Sequence, residues 1–137
     1  MRWERESFWV SDATEDADID FMTEALHTTY WARRRPREVV AASVANSIVL
    51  TLYDGERPIG FTRMVSDRAT FAWLCDVFVL PEYRGQGLGS WLVGLTVHHP
   101  AAVDGLQLLA TRDAHGLYEK HGFERRECMM RRRTHRA

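Results

Sequence analysis

A glycine-rich segment near the middle of the chain is the strongest candidate for chemistry. An apolar run ends at Pro81, glycines then alternate with other residues, and apolar side chains recur at helical spacing after them. This order predicts a strand, a loop and the start of a helix. The first helical turn carries unbonded backbone N–H groups at the positive end of the helix dipole, so it can bind a phosphate or diphosphate. The loop consists of Arg84, Gly85, Gln86, Gly87, Leu88, Gly89 and Ser90.

The spacing of this loop excludes two familiar phosphate-binding motifs. No Gly-Lys-Ser/Thr follows it, so it is not the loop of nucleoside triphosphatases. The dinucleotide pattern Gly-x-Gly-x-x-Gly also fails, because Leu92 stands where its last glycine would be. What remains is the pattern Arg84-x-x-Gly87-x-Gly89.

Asp76 is an anomaly in the apolar run that precedes the loop. Its neighbours are Trp73, Leu74, Val77 and Phe78, and a buried carboxylate is costly unless it is paired or hydrogen-bonded. One interpretation makes it a general base, or an anion that attracts a cationic amine. The other makes it an acceptor for neighbouring backbone or arginine groups that fixes the strand. The sequence leaves both open.

A second segment, from Ala114 to Phe123, has the form Ala-x-x-Leu-Tyr-x-x-x-Gly-Phe. Together with the glycine loop, it resembles the GCN5-related N-acetyltransferase (GNAT) superfamily. The resemblance implies a mixed α/β fold with the order β-α-α-β-β-β-α-β-α-β, which the chain's own pattern also indicates. It further implies that two central strands splay apart around the pantetheine arm of coenzyme A.

The resemblance also implies roles for individual residues. The loop amides would bind the diphosphate of acetyl-coenzyme A, with Arg84 adding a contact or holding the loop. Tyr118 would protonate the leaving thiolate, and Thr111 stands where the family often has an asparagine that contacts the cofactor arm. A backbone N–H would polarise the thioester carbonyl, and it would come from Val77, Phe78 or Val79.

The acceptor pocket is less well defined by the sequence. In relatives it is bordered by the first two helices and the last strands. Tyr30 and Trp31, after the first predicted helix, could wall an amine, although such aromatic residues also serve as core. The expected activity is transfer of an acetyl group to a primary amine by direct attack in a ternary complex. The alternative is a coenzyme A-binding regulatory module without catalysis.

The elements that must position these residues follow from periodicity and turn signals. Helices are predicted from the acidic cluster near Asp18 and again around Val40 and Val44, with a hairpin turn at Asp54-Gly55. Residues 71–80 read as a central strand covered on both faces, and residues 124–130 as the last strand. We expect one domain over 1–137 with a flexible basic tail at 131–137.

Composition restricts the partners. The net charge is −1, with 18 basic and 19 acidic residues, which argues against a nucleic-acid binder. The N-terminal segment lacks a secretory apolar region and no run is long enough to cross a bilayer, so we expect a cytoplasmic protein that does not bind membranes. The six histidines and two cysteines have no metal-ligand spacing, and no metal is expected. A homodimer is compatible with the short chain.

Overall fold

The computed structural model describes residues 1–102 and 104–132. Their strands form one six-stranded sheet whose spatial order equals their order in the chain. The strands are β1 (Arg2–Arg5), β2 (Phe8–Ser11), β3 (Ile48–Asp54), β4 (Arg57–Ser66), β5 (Phe71–Val79) and β6 (Leu106–Leu109). The helices are α1 (Ile19–Leu26), α2 (Arg37–Ala45), α3 (Leu88–Val97) and α4 (His115–Glu119). This confirms the predicted mixed α/β class.

Local signals explain where several elements begin and end. The Asp18 carboxylate accepts a hydrogen bond from the backbone N–H of Phe21 at 2.9 Å and so caps the start of α1. Pro36 precedes α2, where a fixed φ suits a helix start. Gly55 has a φ of +59° in the turn between β3 and β4, a conformation that favours glycine.

Apolar side chains fill both faces of the sheet. On one face, Leu88 and Leu92 of α3 pack with Leu50, Leu52 and Ile59 of the middle strands. The other face carries α1 and α2, and its buried residues are Met22, Leu26, Val40, Val44, Val49, Phe61 and Phe78. The sheet is therefore the middle layer, and the loop before α3 lies at the end of β5.

The residues from Phe8 to Val10 have the sequence pattern of a single first strand, and the structure has a hairpin there instead. β1 pairs antiparallel with β2, from Arg2 opposite Ser11 to Arg5 opposite Phe8. The sequence Arg-Trp-Glu-Arg of β1 has three charged residues, and most of the strand is exposed. A polar edge strand lacks the apolar alternation that reveals a strand in sequence.

β5 and β6 are the one parallel pair in the described sheet, and they separate early. They pair only from Phe71 opposite Leu106 to Leu74 opposite Leu109, while β5 continues to Val79. On the other side of β5, the register with β4 shifts so that Cys75 has no opposite residue. Such a bulge bends a strand and increases its twist. The bulge therefore coincides with the point where the two strands part.

Two expectations about the sheet were wrong. Residues 124–130 form no strand, because Glu124 to Glu127 are all charged and the segment has no apolar face; Met129 is fully exposed. β5 is next to the edge of the described sheet, and alternate residues such as Trp73 and Val77 are only half-buried. Of the predicted basic tail, residues 133–137 lie outside the described part of the chain.

Candidate active site

The glycine loop has the backbone geometry of an open anion site. Gly85 and Gly87 have φ values of +85° and +83°, which L-residues with a Cβ rarely adopt. Gly87 is also the residue that precedes α3, and no side chain caps the helix there. The N–H groups of the first turn of α3 therefore point toward the loop without a side-chain acceptor. This arrangement fits the predicted contact between residues 86–90 and a diphosphate.

The Arg84 side chain is bonded to the end of β5. Its Nε donates a hydrogen bond to the carbonyl oxygen of Val79 at 2.8 Å, and its guanidinium lies 5.7 Å from the centre of the Phe78 ring. The amide of Gln86 donates to the carbonyl of Tyr83 at 3.1 Å. These two side chains tie the loop to the end of β5 and to the preceding turn. Of the two roles predicted for Arg84, the geometry matches the one that holds the loop.

Beyond the point where β6 ends, one backbone N–H near the end of β5 is well placed to face the separation between the two strands. The N–H of Leu80 donates to the carbonyl of Ile59 on β4 at 2.8 Å. Because backbone groups alternate sides along a strand, Phe78 also turns its N–H toward β4, while Val77 and Val79 turn theirs toward the open side. Three residues were predicted to supply a donor, and the N–H groups of two of them, Val77 and Val79, face the separation between the strands. Of these two, Val79 is nearer the loop.

Asp76 is buried, with only 1% of its surface exposed, and three groups bind its carboxylate. The indole Nε1 of Trp31 donates to Oδ1 at 2.7 Å, Arg63 Nε donates to Oδ2 at 2.7 Å, and Arg35 Nη1 lies 3.2 Å from Oδ2. Arg63 also donates to the hydroxyl of Ser47 at 3.1 Å. To accept a proton, Asp76 would have to weaken two ion pairs. The contacts are those of the second interpretation, in which arginine side chains satisfy the carboxylate.

Tyr30 and Trp31 lie in the connection between α1 and α2 and remain 41% and 40% exposed, so they are not core residues. Their rings meet edge to face, with centroids 5.1 Å apart. The backbone N–H of Arg112 donates to the Tyr30 hydroxyl at 3.1 Å, and the Arg112 guanidinium lies 3.7 Å above the Tyr30 ring. The connection therefore reaches from Asp76 on β5 to the loop between β6 and α4.

Tyr118 lies on α4, half-buried, with its ring edge to face against Phe123 at 6.0 Å. Burial, with smaller contributions from nearby Tyr30 and Asp113, raises the pKa of Tyr118 to about 12. The phenol is therefore protonated at any physiological pH, as a donor must be. The Thr111 hydroxyl accepts a hydrogen bond from the N–H of Ala114 at 3.1 Å. Thr111 thus supports the start of α4 at the position where relatives often have asparagine.

Several residues of this site gave no signal in the sequence. Arg35 and Arg63 reach Asp76 from 41 and 13 residues away, and only the fold brings them together. His121, two residues after the end of α4, places its Nε2 3.1 Å from the hydroxyl of Ser90 in the first turn of α3. Burial lowers the pKa of His121, so its ring is neutral near pH 7. Ser90, predicted to contribute only its amide, therefore also has a side-chain partner just after α4.

A cavity of about 910 Å³ adjoins this site and shares two of its predicted residues. It is bounded by β6, α4 and the segment after Gly122, and it includes Thr111 and Tyr118 but none of residues 76–90. The cavity occupies the region left open because residues 124–130 do not join the sheet. The lining of the cavity therefore reaches Tyr118 but not the glycine loop.

No helix in residues 1–102 and 104–132 is long and apolar enough to cross a membrane. Within the same residues, no group of three His, Cys, Asp or Glu side chains could hold a metal ion. Cys75 and Cys128 form no disulfide; Cys75 is half-buried and Cys128 is exposed. Burial raises the pKa of the Cys75 thiol, which makes it a poor nucleophile.

Comparison with known proteins decides the family. A family model for the acetyltransferase (GNAT) domain matches residues 45–125, which include both the glycine loop and Tyr118. The chain belongs to the GNAT family. This confirms the family that the resemblance of its two motifs implied.

Individual GNAT relatives support the same conclusion. A crystal structure of a GNAT-family protein from Xanthomonas campestris is 36% identical, has a TM-score of 0.87, and matches 91% of this chain and 92% of that one. The GCN5-related N-acetyltransferase 2 of Arabidopsis thaliana is 36% identical over 66% of this chain and 44% of its own. The histone acetyltransferase TAP1 of Glycine max is 32% identical over 80% of this chain and 53% of its own. The chain thus spans about half the length of these two curated relatives.

Proposed function

We propose that this GNAT chain transfers an acetyl group from acetyl-coenzyme A to a primary amine. The observation that carries the proposal is the uncapped first turn of α3 behind two glycines with positive φ. Backbone amides held in this way favour a diphosphate, which accepts several hydrogen bonds at once. Two side chains near the loop already have protein partners: Arg84 donates to the Val79 carbonyl, and Ser90 lies beside His121.

The acetyl group would lie between β5 and β6, beyond the last pair Leu74 and Leu109. There the N–H of Val79 faces the opening and can donate to the thioester oxygen as negative charge develops on it. Removing one such donor from an acyl-transfer site typically costs about 3 kcal/mol of transition-state stabilisation. The chain supplies this donor from its backbone, so the side chain at position 79 is free to pack in the core.

In this proposal, the amine attacks the thioester carbon directly and the C–S bond breaks. The electron pair leaves with the sulfur, and the hydroxyl of Tyr118 donates a hydrogen bond to the thiolate as it forms. The amine's proton leaves through water. It would reach Asp76 only if Arg35 or Arg63 weakened its hold on that carboxylate. No acyl-enzyme is proposed, because neither cysteine has an activating partner in the described residues.

Tyr30 and Trp31 are proposed to wall the acceptor side. Asp76 then acts as a positioning residue, because it fixes the indole of Trp31 through a 2.7 Å hydrogen bond. The acceptor is a primary amine on a small molecule or a peptide. The relatedness to a histone acetyltransferase makes peptide lysine one amine to test beside polyamines, amino acids and aminoglycosides. The expected cytoplasmic location, the absence of nucleic-acid binding and a homodimer all stay predictions.

The test is acetyl-coenzyme A binding by calorimetry, followed by release of the coenzyme A thiol across this amine panel. Binding together with thiol release that depends on one amine class supports the proposed function. Binding without release from any amine would support the alternative, a regulatory module that binds coenzyme A without catalysis. Asp76 is engaged in ion pairs with two arginines, so no residue is assigned as the general base. This observation is the reason to test the non-catalytic alternative.

A further inference from the structure

Arg5 lies at the start of α3, although it comes from the opposite end of the chain. It is the last residue of β1, the strand that the sequence did not reveal. Its Nη2 lies 3.9 Å from the position that a Cβ would occupy on Gly87. Its guanidinium carbon lies 5.6 Å from the centre of the Trp91 ring, which belongs to the first turn of α3. An exposed cation therefore lies beside the glycine loop.

This position is electrostatically unfavourable unless an anion binds there. The N-terminus of a helix carries partial positive charge, and cations are stabilised at the other end. Among the residues that the structure describes, Arg5 has no carboxylate within ion-pair distance. Arg2 on the same strand differs, because it pairs with Glu4 at 3.3 Å and covers the Trp9 ring at 4.0 Å.

The β1–β2 hairpin is fastened to the turn that leads into the loop, so the position of Arg5 is not accidental. The Ser7 hydroxyl donates to Asp54 at 2.9 Å, and the Tyr83 hydroxyl donates to the same carboxylate at 2.8 Å. The rings of Phe8 and Tyr83 meet edge to face at 6.2 Å. These contacts join the hairpin, the turn after β3 and the turn before Arg84 into one unit.

We propose that Arg5 binds a phosphate group of the coenzyme A thioester and completes the anion site begun by the loop amides. The inference rests on the proposed function, because it needs that ligand at the glycine loop. A guanidinium adds a full positive charge and two parallel hydrogen bonds to phosphate oxygens, whereas the backbone amides of a helix turn carry only partial charge. Coenzyme A has two sources of this chemistry, the diphosphate and the ribose 3′-phosphate. Both lie at the nucleotide end of the molecule, away from the reacting thioester.

The experiment compares the wild-type protein with Arg5→Gln, and uses Arg2→Gln as the matched control. Calorimetry would measure the Kd of acetyl-coenzyme A and of acetyl-3′-dephospho-coenzyme A at low and high NaCl. We expect Arg5→Gln to weaken binding roughly fivefold to tenfold at low salt, with a smaller difference at high salt because screening weakens exposed contacts. Arg5→Lys should recover part of the affinity. The kcat at saturating acetyl-coenzyme A should stay within twofold of wild type, because Arg5 is remote from the thioester.

The two ligands identify which phosphate Arg5 contacts. An equal loss with both supports the diphosphate, and a loss confined to the ligand that carries the 3′-phosphate supports that group. Arg5→Gln binding within twofold of wild type at low salt overturns the inference and leaves the proposed function standing. Failure of the wild-type protein to bind either ligand overturns both. Thermal unfolding without ligand separates affinity from folding: Arg5→Gln should not lower Tm, since it removes a cation from the positive end of α3.

Discussion

Tyr118→Phe tests the chemical step most sharply, because it removes one hydroxyl and leaves the ring. The ring packs against Phe123 and the core, so the variant should fold normally. The hydroxyl is the group proposed to face the sulfur as the C–S bond breaks. Its loss should therefore act on kcat and leave the Kd of acetyl-coenzyme A within about threefold of wild type.

The raised pKa of Tyr118 sets the size of this effect. With a pKa of about 12, the phenol is a weaker acid than an ordinary thiol of pKa about 8.5, so complete proton transfer to the thiolate would be uphill by about 5 kcal/mol. We therefore expect the hydroxyl to stabilise the thiolate by a hydrogen bond and to keep its proton. A hydrogen bond to a charged group contributes about 1.5–3 kcal/mol, which predicts a fall in kcat of about 10- to 150-fold.

The assay is thiol release at saturating amine and acetyl-coenzyme A, measured from about pH 6 to pH 10. Because burial keeps the phenol protonated over this range, the variant's pH profile should be lower than that of wild type but have the same shape. Tyr53→Phe is a matched control, since its hydroxyl donates to the carbonyl of Asp16 at 2.7 Å, away from the site. A kcat of Tyr118→Phe within twofold of wild type would refute the role assigned to this hydroxyl.

Two further predictions concern the positioning of the site. Asp76→Asn leaves two guanidinium groups without their carboxylate and should lower the free energy of unfolding by about 3 kcal/mol in urea titrations. Asp20→Asn, which loses only an exposed pair, should change it by less than about 0.5 kcal/mol. An unchanged unfolding midpoint for Asp76→Asn would contradict the positioning role. Gly87→Ala strains a φ of +83° by about 1–2 kcal/mol and should weaken acetyl-coenzyme A binding at least fivefold. Gly55→Ala, strained at +59°, should lower Tm but bind normally; equal binding by both variants would count against the loop as the anion site.

Local sequence signals predicted the parts of this protein that local physics determines. Alternate glycines after Pro81 predicted the loop and the start of α3, since only glycine adopts these φ values without strain. The acidic cluster before Ile19 predicted α1, whose cap is Asp18. The motif around Tyr118 predicted α4. In each case the determining residues lie within about ten positions of one another.

The rest depends on contacts between distant segments. The pairing of Asp76 with Arg35 and Arg63 could be anticipated only as one of two interpretations, because the sequence does not say which arginines fold toward β5. The position of Arg5 depends on a polar edge strand that apolar alternation does not reveal. The prediction of a strand at residues 124–130 was wrong for a different reason. Half of this segment is charged, so it has no apolar face to pack against the sheet.

Amide hydrogen exchange, with and without saturating acetyl-coenzyme A, measures directly whether the loop amides bind the diphosphate. The expected result is slower exchange of the backbone N–H groups of residues 85–90, together with that of Val79. Measurable binding with unchanged exchange at 85–90, or protection confined to the cavity between β6 and α4, would contradict the proposed site.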